Sequence, residues 1–210
     1  MHQPKWRRRK EARPGDIVAA ALAVFAEKGF AGARIEEIAR RAGVSKGTVY
    51  LYFETKGDLF RAVVHDAIIP NIDEIGASAL AADLPFAEIL RTLLPRFAEL
   101  VTTRPIGAVV KMVVGESRNF PELARVWHDE VIAKGVDLIS ALIRRGQDRG
   151  EIRPGDPRTY AFSIMGPILI GVLWRETFTP VGGAAIDLPA VARQHVETVL
   201  EGLAQQGDDR

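Results

Sequence analysis

The stretch from Ile35 to Glu54, IEEIARRAGVSKGTVYLYFE, constrains the fold more than any other part of the chain. Apolar or small side chains recur at Ile35, Ile38, Ala39 and Ala42, one stripe at helical spacing. Gly43 follows, and a glycine ends a helix cheaply because its backbone enters the left-handed region without a Cβ penalty. Val44 then reads as a buried corner residue and Ser45 as the N-cap of a second helix. That helix buries Val49, leaves Tyr52 open to either side, and points Lys46, Thr48 and Tyr50 elsewhere. Two short helices joined through a glycine-containing turn make a helix-turn-helix, whose second helix enters the major groove of DNA. The alternative is an ordinary helical hairpin inside a bundle. Ala39, Gly43, Val44 and Val49 at these offsets argue against it.

The rest of the chain also reads as helix, so the expected fold class is all-α. An amino-terminal three-helix unit at 13–61 precedes a larger helical unit at 62–205, with nine helices in all. Asp16 is positioned to cap a first helix running to Lys28, with Ile17, Ala20, Ala21, Val24 and Phe25 on one face and Gly29 closing it. Thr55 and Asp58 form a capping-box-like signature opening a fourth helix, which Pro70 should kink or end. Further helices are expected from Asp83 to Thr103, from Pro105 to Glu116 and from Asn119 to Gly150. Two more run from Asp156 to Phe178 and from Leu188 to Gln205. Tyr160–Trp174 is uncharged and mostly apolar, but falls short of the roughly 20 residues a membrane span requires, so a buried helix is expected.

Charge is distributed unevenly. Residues 1–61 hold 13 Lys/Arg against 7 Asp/Glu, while the remainder holds 15 against 20. The positive excess thus coincides with the helix-turn-helix. Residues 1–12 read as a disordered basic arm, with Lys5, Arg7, Arg8, Arg9 and Lys10 around Trp6, and 206–210 as a disordered tail. Such an arm either tracks phosphates and releases their counterions or is a solvated tail of no consequence. The chain has no cysteine, which excludes disulfides and thiolate metal sites and suits a reducing cytoplasm. No signal peptide, phosphate-binding glycine loop, HExxH or GxSxG motif occurs. The histidines at 2, 65, 128 and 195 are scattered. Neither an enzyme, a cofactor nor a metal site is expected.

Gly29-Phe30 and the run IEEIARRAGVSKGTVYLYFETKGDLF at 35–60 closely resemble the amino-terminal domain of TetR-family transcriptional repressors. Beyond about residue 60 the chain is similar to the family only in length and helical character. The resemblance implies a homodimer on a near-palindromic operator, released by a small hydrophobic effector. It also implies roles for individual residues. Ser45 caps the recognition helix, and Lys46 and Gly47 lie at the groove. Thr48 and Tyr50 meet base edges or thymine methyls, and Tyr52 and Lys56 bind phosphates. Where the family usually has a threonine or serine, this chain has Ala33 and Arg34, so Arg34 is expected to take over a phosphate contact.

The larger unit should hold the effector. Ile68, Leu90, Phe97, Met112, Trp127, Phe162 and Met165 are the candidate apolar wall, with Glu116, His65 or His128 as polar anchors. For each of them ordinary core packing is the alternative. The last two helices are candidates for the dimer surface. Gly166 and Gly171 would admit a close helix approach, and Val191, Val196, Val199, Leu200 and Leu203 supply a stripe.

Overall fold

Pro14 opens the first helix, where a fixed φ and a missing amide cost nothing. In the computed structural model, which describes residues 14–203, α1 runs Pro14–Gly32. The basic arm and the carboxy-terminal tail expected at 206–210 lie outside the described residues. Asp16 is in the first turn of α1 and not at its cap, where its charge still complements the helix dipole. Gly29 breaks the helix as expected: its φ of 71° is left-handed, and one further turn follows it.

Next come α2 (Ile35–Ala42), α3 (Lys46–Tyr52) and α4 (Lys56–Val63). The capping box at Thr55 and Asp58 is formed in both directions. The expected unit boundary after residue 61 falls inside α4. Pro70 bends the rod without ending it. A wide π-turn, Val64–Ile68, has Ile69 N–H reaching back to Val64 O, and the helix resumes as α5 (Ile69–Ala81). Then follow α6 (Phe86–Thr103), α7 (Ile106–Glu116) and α8 (Pro121–Trp127). A second π-turn, His128–Ile132, joins α8 to α9 (Ala133–Asp148). The chain closes with α10 (Pro157–Thr177) and α11 (Leu188–Leu203). Counting each π-turn as a join, the described residues form nine rods, and no strand occurs among them.

One continuous apolar core runs from Ile17 to Leu203. Helix α1 packs on α2, α4 and α7, so the amino-terminal unit and the larger unit share a wall. Helix α11 packs along α6. Of the expected stripe, Val196 and Leu203 are buried within the protomer, and Gly171 admits the Leu188 side chain, so these residues close the chain's own core, while Val191, Val199 and Leu200 stay partly exposed. Helix α10 is likewise not the buried helix expected. Ala161, Ile164, Ile168 and Val172 face inward, while Phe162 and Ile170, 59% and 63% exposed, face out with Leu169 and Trp174. By length and composition α10 could cross a membrane, yet its inner face is packed on α7, α9 and α11.

Candidate nucleic-acid interface and effector cavity

Helix α2 ends on Gly43 at φ 73°, and Val44 N–H returns to Ala39 O at 2.9 Å, which turns the chain sharply. Ser45 Oγ then accepts from Thr48 N–H at 3.1 Å and caps α3. Val49 is fully buried, while Lys46, Tyr50 and Tyr52 stand exposed, Lys46 and Tyr52 doing so although they lie one turn from Val49. Tyr50 is 45% exposed and Tyr52 44%, which resolves the open orientation of Tyr52 toward solvent. Thr48 is half-buried, its hydroxyl 2.9 Å from Ser45 Oγ. Val44 is half-buried also, less enclosed than expected. At Gly47 a Cβ would meet only Ser45 Oγ, at an ordinary 3.7 Å, so no packing inside the protein demands a glycine there. Arg34 stands exposed at the start of α2, where no side chain caps the helix.

Ion pairs that the sequence reading missed link the helices of this unit. Lys46 Nζ lies 2.6 Å from Glu36, tying α3 to α2, and also sits over the Tyr50 ring. The hydrogen bond from Lys46 holds the Glu36 carboxyl below its ordinary range, and Glu36 in turn raises the Lys46 ammonium. Arg41 bridges Glu27 of α1, at 2.7 Å through Nη1, and Glu37 of α2, at 2.9 Å. Lys28 reaches Glu37 from the other side.

Lys56 requires a correction. Instead of standing free for a phosphate, its ammonium donates to Phe30 O at 2.6 Å and Ala33 O at 3.1 Å and lies over the Phe30 ring. Both carbonyls lie at the end of α1, where helical donors run out and Phe30 O accepts only the Ala33 N–H at 3.3 Å from the backbone, and a lysine tip is long enough to reach them. Burial lowers its pKa, partly countered by Glu116. Glu116, expected as a pocket anchor, accepts from Phe30 N–H at 3.0 Å and Ala31 N–H at 2.7 Å instead. His65 and His128 pair with Glu130 and Asp129.

Within the larger unit lies a cavity of about 170 Å³. Phe97, Trp127, Phe162 and Met165 line it as expected, with Val110, Val131 and Ile168 among their neighbours. Ile68, Leu90 and Met112 do not. They are buried in solid packing, because helical spacing marks an inward face without marking where that face meets a void. No lining residue carries an ionisable group. Phe162 and Leu169 belong both to the cavity wall and to the exposed face of α10, so the cavity opens there. Among the described residues no group of three or more His, Asp or Glu is placed to hold a metal ion.

Residues 17–63 match the family described as bacterial regulatory proteins, tetR family, and residues 86–188 match the tetracyclin repressor-like C-terminal domain. The chain belongs to the TetR family. Regulators of this family bind operator DNA as dimers and respond to small-molecule effectors. The chain is 29% identical to the HTH-type transcriptional regulator RutR of Escherichia coli (strain K12) over 210 residues, covering 91% of each. A crystal structure from Mesorhizobium loti MAFF303099, described as a TetR-family transcriptional regulator, superposes with a TM-score of 0.77 at 26% identity. That match covers 94% of this chain and all of the other, 100%. The transcriptional regulator FadR from Bacillus subtilis, solved with stearoyl-CoA, shares the fold with a TM-score of 0.76 at 22% identity, covering 91% of this chain and 100% of FadR. Such relatives are named as regulators of transcription and not as enzymes.

Proposed function

We propose that this TetR-family chain is a dimeric transcriptional repressor that reads a near-palindromic operator through α3 and leaves it when a small apolar effector fills the cavity. The observation that carries the reading is the outward face of α3. Lys46, Tyr50 and Tyr52 project from a helix whose inner side is anchored by Val49 and whose start is capped by Ser45. Residues 13–61 serve as the reading unit, with Ser45, Gly47 and Thr48 at the groove and Arg34 and Tyr52 toward phosphates; residues 62–205 serve sensing and assembly. An α3 of only 7 residues spans few base pairs, so two copies are needed for useful discrimination. The exposed face of α10, with Phe162, Leu169, Ile170 and Trp174, supports a dimer contact there. FadR's stearoyl-CoA and the uncharged wall of this cavity together favour a largely hydrocarbon effector. Such a ligand shifts DNA binding only through its differential affinity for the two arrangements. The setting is the cytoplasm, beside the DNA.

The test is selection of duplexes from a random pool with the full chain, followed by gel shift. The expected outcome is a near-palindromic duplex bound by the parent and released by Lys46→Ala/Tyr50→Ala at unchanged melting temperature. Parental affinity and selectivity in that variant would overturn the reading.

A further inference from the structure

Three rods that wall the cavity end at one place on the reading unit, the joint Gly29–Ala33. Helix α7 carries Ile106 and Val110 in the cavity wall and ends at Glu116, whose carboxylate takes both the Phe30 and Ala31 amides. The α4–α5 rod carries Ile72 in the wall and, at its other end, Lys56 on the Phe30 and Ala33 carbonyls. Helix α8 carries Trp127 in the wall, and Phe120 at its start packs edge-on against the Phe30 ring at 5.0 Å. The joint is thus gripped on its amides by one rod, on its carbonyls by a second and on its ring by a third.

Only the amide grip depends on a single carboxylate that bridges 85 and 86 positions of sequence. The left-handed backbone at Gly29 frees those two amides, and its missing side chain leaves the carboxylate room, since a Cβ there would collide with Glu116 Oε1. Beyond the joint lies α2, whose Glu36 holds Lys46 of α3. A shift of α7 by a fraction of a hydrogen-bond length therefore either drags the start of α2 with it or breaks the grip.

We propose that Glu116 is the coupling residue of this regulator, transmitting the state of the cavity to the recognition helix by holding the amides of Phe30 and Ala31. The inference rests on the reading of the cavity as an effector site, and its test separates the two. No ligand is required, because Gly135 lines the cavity and a Cβ added there meets nothing within 4 Å. Gly135→Leu thus fills the space from α9, and Val110→Phe fills it from α7 itself. Amide exchange at Phe30 and Ala31 is measured in the full chain with and without each filling, in the parent and in Glu116→Gln. Expected are exchange at least tenfold faster on filling in the parent, and already fast, unresponsive amides in Glu116→Gln. Unchanged exchange in both filled proteins overturns the proposal, as does an equal response in the Glu116→Gln background. Operator affinity is read in parallel on the selected duplex. Filling should weaken it at least tenfold in the parent and less than threefold in Glu116→Gln, and an equal loss in both overturns the coupling role. If no protein binds any duplex, the regulator reading fails while the exchange measurement still decides what Glu116 does.

Discussion

The reading unit and the cavity wall are built on opposite principles. Glu36, Ser45, Lys46 and Tyr50 lie within 15 positions of one another, and cap, turn and ion pair are all local. The cavity draws its wall from α5 to α10, between Ile72 and Val172, and contains no polar side chain that fixes a ligand's orientation beyond the Trp127 indole. A local unit can present charged groups to solvent because each is held by a neighbour in sequence. A wall assembled from distant helices has only packing to hold it, and packing is what a bound apolar molecule alters. Specificity for DNA and response to a ligand are therefore separable by substitution.

The largest effect should come from the shared aromatic core beneath both regions. Phe60 is buried against Phe25 and Phe30, with ring centroids at 6.0 and 6.2 Å. Phe60→Ala should cost about 4 kcal/mol in chemical denaturation. A loss below about 1 kcal/mol would mean that the two regions do not share a core. Next comes the outward face of α3. Lys46→Ala with Tyr50→Ala should lower operator affinity about a hundredfold, roughly 3 kcal/mol. Because both side chains are about half exposed, the melting temperature should scarcely move. A marked fall in melting temperature would erase the contrast between surface and wall. Thr55→Ala removes the cap that accepts from Asp58 N–H and should cost about 1 kcal/mol in thermal unfolding. That loss should appear on the α4 side of the joint while the cavity wall keeps its amide protection.

Acid sharpens the comparison with the smallest expected effect. Hydrogen bonds from Arg41, Lys46 and Lys28 hold Glu27, Glu36 and Glu37 respectively below the ordinary value of 4.5. A depressed carboxyl contributes its full share of stability above that ordinary value and loses it as pH falls through the lowered one. Amide protection, measured against the intrinsic exchange rate at each pH, should therefore fall along α1, α2 and α3 below about pH 4.5 while the uncharged cavity wall responds later. Simultaneous loss in both would show that these ion pairs do not hold the reading unit in particular.

The reading unit was legible because its signals are short. A glycine, a serine cap and a buried valine at fixed offsets each have one local cause, and the structure has all three in place. Lys56 was misread because sequence locates a lysine near the site without saying which way a four-carbon stem turns. Glu116 was misread for a related reason, since its amide partners lie 85 and 86 positions away and only a folded chain brings them near. The cavity was half legible. Helical spacing picked out inward faces, and Phe97 and Trp127 meet the void where Leu90 and Met112 meet neighbours. Pro70 announced the first π-turn, whereas the second, His128–Ile132, contains neither proline nor glycine and left no local trace. The α11 stripe was legible as a stripe only: Val196 and Leu203 turn into the protomer while Val191, Val199 and Leu200 stay partly exposed, because periodicity cannot tell a helix's own protomer from its partner.

The mouth of the cavity lies between side chains that the lone protomer leaves in water, Phe162 and Leu169 on α10. Covering that face hides the doorway as well as the greasy surface around it. A molecule inside then departs no faster than the cover lifts, so the lifetime of the assembly sets the shortest duration of a signal, even for a molecule whose own attachment is weak.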